Sequence, residues 1–211
     1  MLNQVPTTIP TEIRDFPEWH HGRETYAVWV LRLEDEAILD KFKRAREHLD
    51  GYLIEPYRRQ PHITLFVCGF LVEAPQYNDD FTQMQLNAQI QVMENAKIQS
   101  FEIEIGGLNS FASAPFLEVH DSEDGIAHLR QVLLKGAREF RTTVYTPHLT
   151  VGLYADAFPS AVVTRRLATF KESLIRWRVE QITLATYEAN SIAGELRYGN
   201  TVNLHPSTRK L

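Results

Sequence analysis

The sequence predicts an α+β protein built as two related lobes. Three observations carry this reading. Strand-like and helix-like stretches alternate along the chain. A helix followed by a strand that carries Pro-His-apolar-Thr occurs twice. No break in composition marks a linker between the two occurrences.

Each element has its own local reason. Residues 1–24, with Pro6, Pro10 and Pro17, read as an irregular arm, followed by a single bilobal domain over 25–211. Thr25 to Leu33 is aromatic and β-branched, which is strand composition. From Glu34 to Leu49, the residues Ile38, Phe42, Ala45 and Leu49 recur along one face of a helix. Pro61 to Leu71 returns to strand, and Asp80 to Lys97 reads as a second helix. Phe101 to Leu108 alternates apolar and acidic residues, as a half-buried strand does, and turns through Asn109, Ser110, Ser113 and Pro115 into a partner strand, Phe116 to His120. Ser122, Glu123 and Asp124 open a helix that runs to Phe140, with Ile126, Leu129, Leu133, Ala137 and Phe140 on one side. Thr146 to Tyr154 is strand, Pro159 to Ser173 a short helix. Val179 to Tyr187 and Glu195 to Leu204 are two last strands joined through Gly194.

Composition excludes several classes. With 211 residues, 44% hydrophobic and 23% charged, the chain is ordinary globular material, not a disordered tail or a fibrous repeat. No run approaches the ~18 apolar residues of a membrane span, and the N-terminus lacks the apolar core of a signal peptide, so a cytoplasmic protein with no membrane partner is expected. A single cysteine, Cys68, excludes an internal disulfide and a cysteine-rich zinc site. Lys plus Arg is 22 against 27 for Asp plus Glu, a net charge of −5. A grip on long nucleic acid through many phosphates needs a basic surface, which is missing here. A small phosphorylated substrate or a short RNA end stays open.

The chemistry concentrates in the repeated motif. With 8 histidines and 16 threonines in 211 residues, roughly 0.6 His-x-Thr triplets are expected by chance, so the bare triplet is weak. Here both triplets also carry a preceding proline, an aliphatic residue between and an apolar strand after: Pro61-His62-Ile63-Thr64 and Pro147-His148-Leu149-Thr150. In a strand, residues i and i+2 share a face, which pairs His62 with Thr64 and His148 with Thr150, while Ile63, Leu65, Val67, Leu149, Val151 and Leu153 turn to the core. Side by side in one groove, the two motifs bring together two imidazoles and two hydroxyls. Histidine titrates near neutrality, so one ring can act as base and the other as acid, and the hydroxyls can donate to phosphate oxygens. A 2',3'-cyclic phosphate suits this set.

The motifs PHITLFV and PHLTVGL resemble the 2H phosphoesterase superfamily, named for two His-x-Thr/Ser motifs, and within it the bacterial 2'-5' RNA ligase-like RNA 2',3'-cyclic phosphodiesterases. The order of elements from Tyr26 to Leu204 and the run Leu184-Ala185-Thr186-Tyr187-Glu188, followed by Gly194, Tyr198 and Leu204, carry the same resemblance. It implies two antiparallel sheets flanked by helices around a central groove. It also implies that His62 and His148 are the acid/base pair, that Thr64 and Thr150 hold the phosphate, and that no metal or other cofactor is used. One departure stands out: many bacterial relatives have a basic residue shortly after the second motif, where this chain has Val151-Gly152-Leu153-Tyr154.

Other residues divide between site and scaffold. Tyr154 and Phe66 share the parity of the motif histidines, so they either face the groove and stack on a base or serve as core aromatics. Arg58 and Arg59 precede the first motif and either contact phosphate or sit in solvent; Tyr57 and Tyr26 are weaker candidates. Cys68 lies about 20 Å along the strand from His62, at ~3.3 Å per residue, and reads as a buried thiol. His20 and His21 are adjacent in the arm, where side chains on an extended chain point apart, His205 lies near the C-terminus, and His48, His120 and His128 have no partner at a ligand spacing, so no metal site is expected. The expected function is a monomeric, metal-independent phosphoric diester hydrolase that opens 2',3'-cyclic phosphates of nucleotides or short RNA ends. The alternatives are a 2'-5' phosphodiesterase or RNA ligase on the same site, and a non-catalytic module that binds a nucleotide phosphate.

Overall fold

The computed structural model describes residues 1–140 and 144–206. One curled sheet organises them. Its strands are β1 (Thr25–Arg32), β2 (His62–Val72), β3 (Asp80–Thr82), β4 (Phe101–Ser110), β5 (Pro115–His120), β6 (His148–Thr150), β7 (Ile175–Val179), β8 (Gln181–Glu188) and β9 (Arg197–Asn203). The order is β7-β4-β5-β6-β2-β1-β8-β9, with β3 beside β2. The helices are α1 (Pro17–His20), α2 (Glu36–His48), α3 (Gln83–Ala96), α4 (Gly125–Gly136) and α5 (Ser160–Ala168). Every pairing is antiparallel except β2 with β3. The two expected sheets are the two halves of this one sheet. They join through a single residue pair, Ile63 with Leu149.

Parity along β1 separates the two faces. Ala27, Trp29 and Leu31 belong to the main core, together with Ile38 and Ala45 of α2, Leu86 and Met93 of α3, Leu129 and Leu133 of α4, and Val163 of α5. The longer helices therefore cover one face. Tyr26, Val28 and Val30 point the other way, into a smaller cluster with Val67 and Phe70. That second face is left open beside β2 and β6.

Most expected elements are present with moved ends. The helix expected from Asp80 begins as β3, where Thr82 then caps α3 in a reciprocal pair with Gln85. The strand expected over Thr146 to Tyr154 is cut to β6, because beyond Thr150 the chain bonds to loops: Val151 N donates to Pro115 O at 3.0 Å, and Leu153 O accepts from Ile54 N at 2.9 Å. β7 went unforeseen; its Arg176 and Arg178 alternate with Ile175 and Trp177, and it pairs with β4. The arm is bonded down: Thr8 N donates to Phe158 O at 2.9 Å and Ile9 N to Ala112 O at 2.8 Å. Among the described residues no helix is long and apolar enough to cross a membrane.

β2 is bulged twice against β1. Thr64 faces Val30 and Phe66 faces Trp29, so Leu65 is extra; Val67 faces Val28 and Gly69 faces Ala27, so Cys68 is extra. Gly69 makes the second bulge possible. Its φ is +118°, and a Cβ there would sit 2.1 Å from the carbonyl oxygen of Asp79. Gly69→Ala is therefore expected to lower unfolding stability by about 2–4 kcal/mol, measured by urea denaturation. A loss no larger than that of an ordinary surface substitution would contradict the bulge.

Candidate active site

The open face holds a cavity of about 570 Å3 lined by both motifs: His62 and Thr64 from β2, His148 and Thr150 from β6. The register explains how four polar groups meet. Ile63 pairs with Leu149 in antiparallel fashion, and both are fully buried on the helix side. Carried one residue each way, that register sets His62 across from Thr150 and Thr64 across from His148. Each imidazole thus faces the other motif's hydroxyl on the shared face.

The two imidazoles are held alike. His62 Nδ1 lies 2.8 Å from Gln60 O, and His148 Nδ1 lies 2.7 Å from Thr146 O. A carbonyl oxygen only accepts, so Nδ1 carries the proton in each ring and the neutral ring keeps its lone pair on Nε2. Phe111 meets the His148 ring edge-on, with centroids 4.9 Å apart, and Phe116 lies 5.5 Å away. Burial pushes the His62 imidazole down to about 4, against the help of the Gln60 bond, and the Arg59 guanidinium and His148 push the same way. Burial also lowers His148, opposed by its bond to Thr146. Among the described residues, no side-chain group engages the hydroxyl of Thr64 or Thr150.

The other expected site residues separate. Tyr57 lines the cavity, and burial raises its phenol above the ordinary value. Arg59 lines it too. Its Nε donates to Gly194 O at 3.2 Å and its guanidinium lies 4.1 Å over the Tyr187 ring, while among the described residues no group accepts from its terminal nitrogens. Arg58 turns instead to a small polar recess with Glu195 and Arg197. Phe66 is fully buried in the main core and Val67, expected in the core, lines the cavity, because the bulge at Leu65 reverses the parity on which both placements rested; Leu153, also expected in the core, lines the cavity beyond the end of β6. Tyr154 is also fully buried; the strand ends before it, and its hydroxyl shares a 2.7 Å hydrogen bond with Ser110 Oγ. Burial pushes that phenol up to about 12. Cys68 is buried and its thiol raised well above the ordinary value by burial, first of all. The sequence reading missed Phe111, Arg130, Glu139 and Tyr145, which line the cavity from loops and from α4. Among the described residues, no three histidine, cysteine or carboxylate side chains cluster to hold a metal ion.

A family model described as the 2'-5' RNA ligase superfamily matches residues 33–191, which contain both motifs and most of the sheet. The chain belongs to the 2'-5' RNA ligase superfamily. The superfamily fold is also found among solved structures. LigT of E. coli in its apo form is 14% identical, with a TM-score of 0.56 over 87% of this chain and 99% of its own. TT0787 of Thermus thermophilus is 14% identical, with a TM-score of 0.60 over 86% of this chain and 98% of its own. LigT of E. coli complexed with 3'-AMP is 14% identical, with a TM-score of 0.56 over 86% of this chain and 98% of its own. At this identity the likeness concerns the fold. No curated protein matches the chain by sequence.

The depressed His62 imidazole has a consequence for acid stability. The unfolded chain binds the proton near 6.5 and the folded chain near 4, so between these values the unfolded state holds more protons. This group's contribution is complete above 6.5 and falls away as pH drops toward 4. Between about pH 7 and about pH 4.5, His62→Asn is expected to lose less stability than the native chain, by on the order of 1–2 kcal/mol. Urea denaturation at the two pH values checks this, and equal losses would count against it.

Proposed function

We propose that the protein opens 2',3'-cyclic phosphates of nucleotides or short RNA ends with water and without a metal. The observation that carries this is the pairing of two imidazoles, each pinned through Nδ1, with two threonine hydroxyls that no side chain among the described residues engages, on one wall of a cavity. Membership of a superfamily that acts on phosphoesters supports it, and so does the capture of 3'-AMP by a relative of the same fold.

Both rings are neutral in the empty groove at neutral pH, and a phosphodiester anion seated between them raises both. His62, held lowest and pressed by the Arg59 guanidinium, stays neutral and takes a proton from the attacking water. His148 is lowered by burial with no cation added, so it is the ring that charges and gives its proton to the leaving ribose oxygen. One P–O bond forms to the water oxygen, one P–O bond to ribose breaks, and the product is a phosphomonoester. Thr64 and Thr150 donate to the non-bridging oxygens, and Arg59 supplies the local positive charge that the second motif lacks. Ligation is the same exchange with a ribose hydroxyl in place of water, so product analysis separates the two.

With adenosine 2',3'-cyclic phosphate and its congeners as substrates, His62→Ala and His148→Ala are each expected to lower kcat by about 10²–10⁴-fold. Turnover should survive a chelator, and kcat/KM should follow a bell-shaped pH curve. Native rates in both variants on every substrate the native chain turns over would sink the assignment. Loss in chelator with recovery on zinc would replace it with a metal route.

Arg59→Ala should lower kcat/KM by about 10–100-fold, the worth of one charge-assisted hydrogen bond. Arg58→Ala, whose side chain turns to another recess, should not. Equal effects of the two substitutions would remove Arg59 from the site.

A further inference from the structure

We propose that Tyr145, Arg130 and Glu139 form a strap that sets the first histidine–threonine motif against the second. The inference rests on the reading of the cavity as a site of phosphoryl chemistry, and the three are positioning residues. Between its pair with β6 at Ile63 and its pairing with β3 from Phe70 onward, β2 has β1 as its only strand partner among the described residues, and both bulges fall in this stretch. Main-chain groups on such an edge need partners. Three of them find side chains. Tyr145 OH donates to Thr64 O at 2.8 Å, Arg130 Nη1 donates to Leu65 O, and Val67 N donates to Glu139 Oε1 at 2.9 Å.

The three side chains also hold one another. Arg130 Nη2 donates to Glu139 Oε2 at 2.7 Å, and the Arg130 guanidinium lies 3.9 Å over the Tyr145 ring. Both ends of Arg130 are thereby occupied, unlike those of Arg59. A part-buried ion pair of this kind stabilises little compared with apolar packing, and its best-attested use is to fix register. Here the register matters, since a slip of one residue in β2 would turn His62 and Thr64 to the opposite face. The strap also reaches the second motif. Residue 146, next to Tyr145, supplies the carbonyl that holds His148 Nδ1. One short stretch of chain therefore grips the first motif by a side chain and the second by its backbone.

Tyr145→Phe keeps the ring under Arg130 and removes one hydrogen bond. On adenosine 2',3'-cyclic phosphate it is expected to lower kcat about tenfold or more, with KM within about threefold and a Tm change of a few degrees. Glu139→Gln keeps an acceptor for Val67 N but gives up the ion pair with Arg130, so its kcat should fall less than that of Glu139→Leu, which should fall as far as Tyr145→Phe. Native kcat per folded molecule in both Tyr145→Phe and Glu139→Leu would overturn the inference. A measurement without substrate stands beside it. In Tyr145→Phe, the NMR titration midpoint of His62, whose charged and titratable neighbours are Arg59 and His148, should rise by about one unit as the strand relaxes and water enters. An unmoved midpoint would also overturn it. If His62→Ala kept native turnover, the proposed function would fall, and the strap would be judged on this titration.

Discussion

The halves of the sheet meet where Ile63 of β2 pairs with Leu149 of β6, and the geometry of the cavity is built outward from that contact. Both side chains are fully buried under the helices. Burying an aliphatic side chain contributes about 1.5–3 kcal/mol, so the two together anchor the join. The period of two does the rest. With the apolar residue of each motif committed to the core, the histidine and threonine on either side have nowhere to point except the open face. The antiparallel sense then sets each histidine against the other motif's threonine. A parallel join would have set histidine beside histidine and threonine beside threonine. Two imidazoles and two hydroxyls alternate along one cavity wall because the strands run in opposite directions.

This contact explains which parts of the site could be read from the sequence. Within His62–Thr64 and His148–Thr150 the strands are regular, parity is reliable, and the four residues come together as expected. One residue further along, it fails. The extra residue Leu65 reverses the alternation and sends Phe66 into the core, and β6 ends at Thr150, so no alternation reaches Tyr154. A bulge leaves little mark in composition, since Leu65 and Phe66 are both good strand residues. The elements followed the same rule. α2, with a clean 3.6-residue pattern and an Asp35 cap, sat close to where it was expected, while β3, three residues in parallel pairing, had no periodicity to reveal it. Arg130, Glu139 and Tyr145 were out of reach for a different reason. They act on main-chain groups 65 to 81 residues away in the chain, and no local pattern encodes such a contact.

The electrostatics follow from the same enclosure. The chain carries a net charge of −5, yet the cavity wall presents two guanidinium groups. Glu139 offsets one of them. Arg59 lines the cavity too, stacked on Tyr187 and, among the described residues, tethered through Nε alone. Burial lowers both imidazoles, and this cation adds to the effect on His62.

The strap is what an open groove requires of a sheet. A second strand along β2 between Ile63 and Phe70 would satisfy every main-chain group there, but it would extend β6 across the mouth of the cavity. Leaving the edge open keeps the cavity free and strands two carbonyls and an N–H at its wall. Apolar residues cannot serve such groups. Two carbonyls call for donors and the N–H calls for an acceptor, which the phenol, guanidinium and carboxylate of Tyr145, Arg130 and Glu139 supply. Arg130 and Glu139 also neutralise each other, so the repair adds no net charge beside the two imidazoles. That neutrality matters because an unpaired guanidinium there would push the histidines down, and an unpaired carboxylate would push them up.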